Sequence, residues 1–95
     1  MIIGKHLREL REEKGLLLRQ VAAHIEVDTA YISKMERGEK NIKKDFVLKL
    51  AELYKADSAY LLKLWLADQV YDLVNSEPNA VDALEYVIKV LKGKK

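Results

Sequence analysis

Only one proline, Pro78, and four isolated glycines punctuate this chain of 95 residues. Between those breaks the apolar side chains return every three or four positions and never alternate long enough for a strand. The fold open to such a sequence is all-α. Ile3, Leu7 and Leu10 mark a first helix over roughly 3–14, and Gly15 is placed to end it in the left-handed conformation. A short second helix covers about 18–24. Asp28 has the side chain to cap a third, about 29–37, which puts Ile32, Met35 and Glu36 on one side. Thr29, Ala30, Ser33, Lys34 and Arg37 fall largely on the other, and Gly38 ends the helix. A fourth helix is expected at about 44–55, a fifth at 58–75 behind the N-cap Asp57, and a sixth at 79–92 after Pro78.

Length and composition narrow the function classes. With 49% hydrophobic and 34% charged residues, the chain is that of a small globular domain. It has no apolar run of eighteen residues and no signal-peptide hydrophobic region, so no membrane partner is expected. The absence of cysteine excludes disulfides, thiolate zinc sites and cysteine nucleophiles, and it fits a cytoplasmic protein. His6 and His24 have no ligand-spaced companions, the serines lack a nucleophile-elbow context, and no glycine-rich loop cradles a phosphate. The chain therefore reads as a non-enzyme without cofactor or metal. Residues 1–44 carry ten Lys/Arg against seven Asp/Glu, whereas residues 57–88 carry one Lys against six Asp/Glu. The front half can face a polyanion and the back half is repelled by one.

The run from Ile3 to Leu62 resembles the lambda-repressor-like, or XRE-family, helix-turn-helix domain. The matching residues are Leu7-Arg8 and Arg11, Gly15-Leu16, Val21-Ala22, Val27, the block Tyr31-Ile32-Ser33-Lys34-Met35-Glu36-Arg37-Gly38, then Leu50-Ala51, Tyr54 and Leu61. The resemblance implies a five-helix core whose second and third helices form the helix-turn-helix, the third lying in the major groove of double-stranded DNA. It places Thr29, Ala30, Tyr31 and Lys34 at base edges. Lys34 can donate to guanine O6 and N7, and Thr29 and Ala30 offer methyl contact to thymine. Arg37, Lys40, Asn41, Lys43 and Lys44 fall where backbone contacts cluster, with Ser33 at the margin. The resemblance also implies a structural pair between Glu36 and Arg11.

The sequence departs from that pattern at several points. Leu18 stands where a backbone-contacting glutamine is usual, which leaves Arg19 or Gln20 to replace it. Leu17 is a poor N-cap for the second helix. Glu26 occupies the turn position normally held by glycine, at a cost of about 1 kcal/mol. Ile42 replaces a common loop proline, and Lys43 replaces a small polar cap.

The last third carries more apolar surface than one docking face needs. On the fifth helix Leu62, Leu64, Leu66, Ala67, Val70, Tyr71, Leu73 and Val74 cover a wide arc, with Asp68, Gln69 and Asp72 as the polar remainder and Trp65 among them. On the sixth, Ala80, Val81, Ala83, Leu84, Val87, Ile88, Val90 and Leu91 fill one half. Asp82, Glu85, Tyr86, Lys89 and Lys92 fill the other. The expected organisation is a DNA-binding domain at 1–62 continuous with a dimerisation extension at 57–95. Trp65, Leu66, Val70, Leu73, Leu84 and Ile88 are the interface candidates. The reading is thus a cytoplasmic, nucleoid-associated, bacterial or phage regulator, dimeric on an inverted repeat. The alternative is an antitoxin or protein-interaction module whose apolar C-terminal helices hold a toxin, polymerase or other protein.

Overall fold

The computed structural model describes residues 2–39 and 41–94. Among them the chain forms six α-helices and no strand: α1 (Ile2–Glu13), α2 (Leu18–His24), α3 (Thr29–Glu36), α4 (Lys44–Tyr54), α5 (Ser58–Val74) and α6 (Ala80–Gly93). Every boundary lies within a residue or two of the one expected from periodicity and caps. Asp28 accepts from the Tyr31 amide at 2.8 Å, and Asp57 accepts from those of Ala59 and Tyr60 at 2.9 and 3.4 Å. Leu17 caps nothing with its own side chain. Instead the Gln20 amide oxygen accepts from the Leu17 N–H at 2.7 Å, which is half of a capping box.

Four helices end in the same left-handed turn. In each, the amide two residues past the last turn reaches back to a carbonyl five residues earlier: Leu16 to Arg11, Val27 to Ala22, Glu39 to Lys34 and Ala56 to Ala51. Glycine supplies the positive φ at Gly15 (66°) and Gly38 (77°), but Glu26 (59°) and Lys55 (53°) adopt it with a Cβ. The family pattern leads one to expect Glu26 there. Nothing in the local sequence marks Lys55.

The core lies between α1 and α5. Ile3 and Leu7 of α1, Val21, Ala22 and Ile25 from α2 and its end, Ile32 and Met35 of α3, Ile42, Val47, Leu50, Ala51 and Tyr54 around α4, and Leu61 of α5 are all buried. Burial drives the Tyr54 phenol well above its ordinary pKa, so it stays neutral inside this cluster. Gly4 lets α1 cross the end of α3 closely: a Cβ built there would overlap the Met35 carbonyl oxygen and press on that of Glu36.

α5 docks by a face other than the one its composition suggests. Its inner line is Leu61, Leu64, Trp65 and Asp68, while Leu66, Tyr71 and Leu73 face solvent, Leu73 at 78% exposure. Asp68, expected on the polar outer side, is only 4% exposed. Its carboxylate accepts from the amides of Ile2 and Ile3 at 2.5 and 2.8 Å. The first N–H groups of α1 lack intrahelical partners, and α5 supplies their cap. The face by which α5 docks thus combines apolar burial of Leu61, Leu64 and Trp65 with hydrogen bonding of Asp68 to α1. α6 has no buried residue. Among the described residues no helix is long and apolar enough to cross a membrane, and no group of three His, Asp or Glu can hold a metal ion. His6 instead sits edge-on to the Tyr60 ring, centroids 5.5 Å apart.

Two substitutions of opposite sign test this account by thermal or urea unfolding. Gly4→Ala should destabilise by about 1–3 kcal/mol, because helix backbone rather than a flexible side chain blocks the new methyl. Lys55→Gly should stabilise by about 0.5–1 kcal/mol by removing Cβ strain from the left-handed turn.

Candidate nucleic-acid interface

The amino end of α3 is set by its Asp28 cap and its depth by Ile32 and Met35, which anchor one side of the helix in the core. The opposite side is then fixed as the outer face, and Thr29, Ala30 and Lys34 are exposed on it together. These are short or flexible side chains, which leaves a groove wall room to approach.

A bidentate ion pair holds this helix against the rest of the molecule. Arg11 of α1 donates from Nε and Nη2 to the two carboxylate oxygens of Glu36 at 2.7 and 3.1 Å, and from Nη1 to the Leu16 carbonyl at 2.9 Å. The side chains are 12% and 6% exposed. The hydrogen-bonded Glu36 carboxylate holds the guanidinium proton even more tightly than usual. One arginine therefore ties together α1, the turn after it and the end of α3.

Tyr31 is turned sideways rather than outward. Its ring meets Phe46 edge-on with centroids 5.7 Å apart, and its hydroxyl donates to the Asn41 carbonyl at 3.3 Å. Partial burial raises its pKa, so the hydroxyl stays a donor. The side chain supports the loop after α3 and stands at the rim of the base-facing group. Ser33 is hydrogen-bonded by Arg37, whose Nε also pairs with Glu39 at 2.7 Å and holds that carboxylate below its usual range. This pair is exposed, and such pairs are cheaply exchanged for a phosphate.

Asn41, Lys43 and Lys44 are exposed around the start of α4, where the unpaired amides and the helix dipole add positive potential to the two lysines. Lys43 occupies the N-cap position, where its ammonium group, a donor only, cannot cap the free amides. Lys40 lies outside the described residues. Arg19 and Gln20 are exposed in the first turn of α2, with Gln20 engaged at Leu17.

A feature that sequence reasoning missed fixes the loop. The Trp65 indole donates to the Ile42 carbonyl at 2.7 Å, so α5 holds the segment that carries Asn41 and Lys43. Trp65 faces this loop and the core, and so does not belong with the exposed interface candidates of α5. Its lone place on an otherwise polar side of that helix was the available signal, since a large apolar ring there needs a reason. Of the other interface candidates, Leu66, Leu73 and Ile88 are exposed, and Val70 and Leu84 are half-buried.

This geometry is that of a helix-turn-helix: two short helices in tandem, the second with a free polar face ringed by cations. Residues 2–63 match the helix-turn-helix domain family, and the chain belongs to it. It is 37% identical over 54 residues to the HTH-type transcriptional regulator DdrOP3 of Deinococcus deserti, covering 57% of this chain and 42% of that protein. It is 32% identical over 62 residues to the HTH-type transcriptional regulator ImmR of Bacillus subtilis, covering 65% of this chain and 49% of that one. The chain thus aligns with somewhat under half the length of these relatives. Two crystal structures of the clp gene regulator ClgR from Corynebacterium glutamicum share the fold. One superposes with a TM-score of 0.60 and 28% identity over 70% of this chain and 87% of the other. The second does so with 0.61 and 25% over 96% and 87%. The pairing of Arg11 with Glu36 and the left-handed Glu26 agree with the expectations drawn from the family pattern.

Truncating one partner of the buried ion pair should cost far more than replacing both. Glu36→Ala leaves the Arg11 guanidinium partly buried and unpaired and should destabilise by about 3 kcal/mol or more. The double change to Arg11→Met with Glu36→Leu should recover much of that loss in urea unfolding. A cost for the double change equal to or larger than the single one would refute the orphaned charge as the source of the single variant's loss.

Proposed function

We propose that this chain is a sequence-specific, double-stranded-DNA-binding transcriptional regulator that acts as a homodimer on an inverted repeat. The observation that carries the reading is the joint exposure of Thr29, Ala30 and Lys34 on the one face of α3 that the core leaves free. In this reading α3 enters the major groove and these three side chains reach base edges. Tyr31 contributes from the rim. Ser33, Arg37, Lys40, Asn41, Lys43 and Lys44 meet the phosphates on one side, and Arg19 and Gln20 do so from α2. The relatives named as HTH-type transcriptional regulators support the DNA-binding role, which is one of binding rather than catalysis.

The division of labour is by charge as well as by position. Residues 1–62 form the DNA-binding unit, and residues 57–95 continue from it as a dimerisation extension whose stretch 57–88, with six Asp/Glu against one Lys, is kept away from the phosphates. A two-fold dimer sets two α3 helices on half-sites about 34 Å apart, one helical turn of B-DNA. Occupancy of a promoter then controls transcription sterically, in the cytoplasm where bacterial or phage DNA is found.

Selection of bound duplexes from a random library, followed by titration of the enriched site, tests the reading. An enriched sequence with two-fold symmetry is expected. Lys34→Ala should weaken binding to that site by about 1–3 kcal/mol and loosen preference at one base pair per half-site. Lys43→Ala should weaken binding to specific and random DNA alike. It should also flatten the log–log salt dependence by about 0.9 for each phosphate left without its cation. Wild-type affinity in the combined variant would remove the proposed surface.

A further inference from the structure

α6 is a helix without a place in its own monomer. None of its residues is buried, and only Ala80 and Leu84 are half-covered, near the end of α5. Val81, Val87, Ile88, Val90 and Leu91 stand 49–67% exposed on it. An isolated helix of 14 residues is marginal in water, and an apolar face of this size invites a partner.

The polar flank says what that partner is. Val81, Leu84, Ile88 and Leu91 are spaced three, four and three apart, which is the seam of a two-helix interface. One residue further along, Asp82, Glu85, Lys89 and Lys92 repeat the same spacing, so they form a second stripe bordering that seam. This stripe is negative in its first half and positive in its second. Laid parallel about a two-fold axis along the helices, the two stripes fall on opposite edges of the seam and do not meet. Laid antiparallel about a two-fold axis near Val87, it sets Asp82 opposite Lys92 and Glu85 opposite Lys89, twice over. The helix dipoles also oppose in that orientation. The stripe is therefore its own complement, the property an isologous two-fold interface demands.

We propose that α6 pairs antiparallel with α6 of a second copy of this chain, in a register fixed by the charge stripe Asp82-Glu85-Lys89-Lys92 and centred near Val87. The pairing deepens the homodimer reading given above and rests on it. Leu84 and Ile88 lie in the seam, whereas Trp65 is committed to the Ile42 carbonyl and takes no part. Leu73, on the outer side of α5, lies beyond the α6 seam.

Sedimentation of the full chain without DNA, at low and at moderate salt, tests the pairing separately from DNA binding. The wild type is expected to be a dimer at micromolar concentration. The variants D82K/E85K and K89E/K92E, whose stripes carry one sign only, should each lose about tenfold or more in dimer affinity at low salt. Mixed one to one, they should recover a heterodimer. The fourfold swap D82K/E85K/K89E/K92E, again self-complementary in the antiparallel sense only, should dimerise like wild type. Because the chain has no cysteine, orientation can be read by oxidation. Val87→Cys should link to itself, and Val81→Cys should not, since its two copies then lie about 18 Å apart at 1.5 Å per residue. Efficient self-linking of Val81→Cys would overturn the antiparallel register. A wild-type monomer at micromolar concentration would overturn the pairing altogether and leave the face to a different protein. Intact DNA binding in that monomer would leave the DNA-binding reading standing, whereas a dimer that binds no DNA would leave only the pairing.

Discussion

The arginine at position 11 holds three parts of the molecule with one planar group. Its guanidinium meets both carboxylate oxygens of Glu36 and the carbonyl of Leu16, so α1, the turn leaving it and the far end of α3 share one set of charge-assisted bonds. α3 is only eight residues long, and its apolar contribution to the core rests mainly on Ile32 and Met35. So short a helix has little stability of its own. Its orientation is fixed by the cap at Asp28, the contacts of those two side chains and the clamp on Glu36. The outer face of α3 is consequently a rigid one, which is what positions side chains against a groove wall.

The fifth helix does for the amino terminus and the basic loop what Arg11 does for α3. Asp68 caps the first turn of α1, and Trp65 holds the carbonyl of Ile42 one turn earlier along the same side. The loop that bears Asn41 and Lys43 is therefore braced twice, by Trp65 beneath it and by the Tyr31 hydroxyl on the Asn41 carbonyl. Since α5 runs on toward α6, the helix that leads into the self-complementary stripe also supports the proposed phosphate-binding loop. A dimer joined there would link two DNA-facing surfaces through α5 and α6 of each subunit.

These tertiary bonds also explain an apparent inversion in α5. A helix of this composition buries its widest apolar arc when hydrophobic transfer alone decides. Here the arc is divided. Leu61, Leu64 and the neighbouring Trp65 go inward, while Leu66 and Leu73 remain outside. An unsatisfied amide or a buried carboxylate without donors costs as much as a buried leucine gains, so the bonds from Ile2 and Ile3 to Asp68 offset the exposure of those leucines. Leu66 and Leu73 are left outside although α5 itself packs against α1 and α4.

Much of the architecture was legible in the residues. Periodicity, the caps Asp28 and Asp57, and the glycines at 15 and 38 located all six helices to within one or two residues. Such signals are local: a cap, a left-handed turn and an apolar stripe each act over a few neighbouring positions. The outer face of α3 was equally legible, because Ile32 and Met35 fix its inner one, whereas the assignment of Thr29, Ala30 and Lys34 to base edges came from the family resemblance alone. Tertiary structure alone decided what depends on contacts between distant positions. Asp68 became a cap for α1 across more than sixty residues, Trp65 a brace for the loop, Gly4 a close crossing, and Lys55 a left-handed residue with no glycine to announce it. A carboxylate on a helix carries no mark that distinguishes a solvated one from a buried cap. That distinction exists only once another helix brings its free N–H groups alongside.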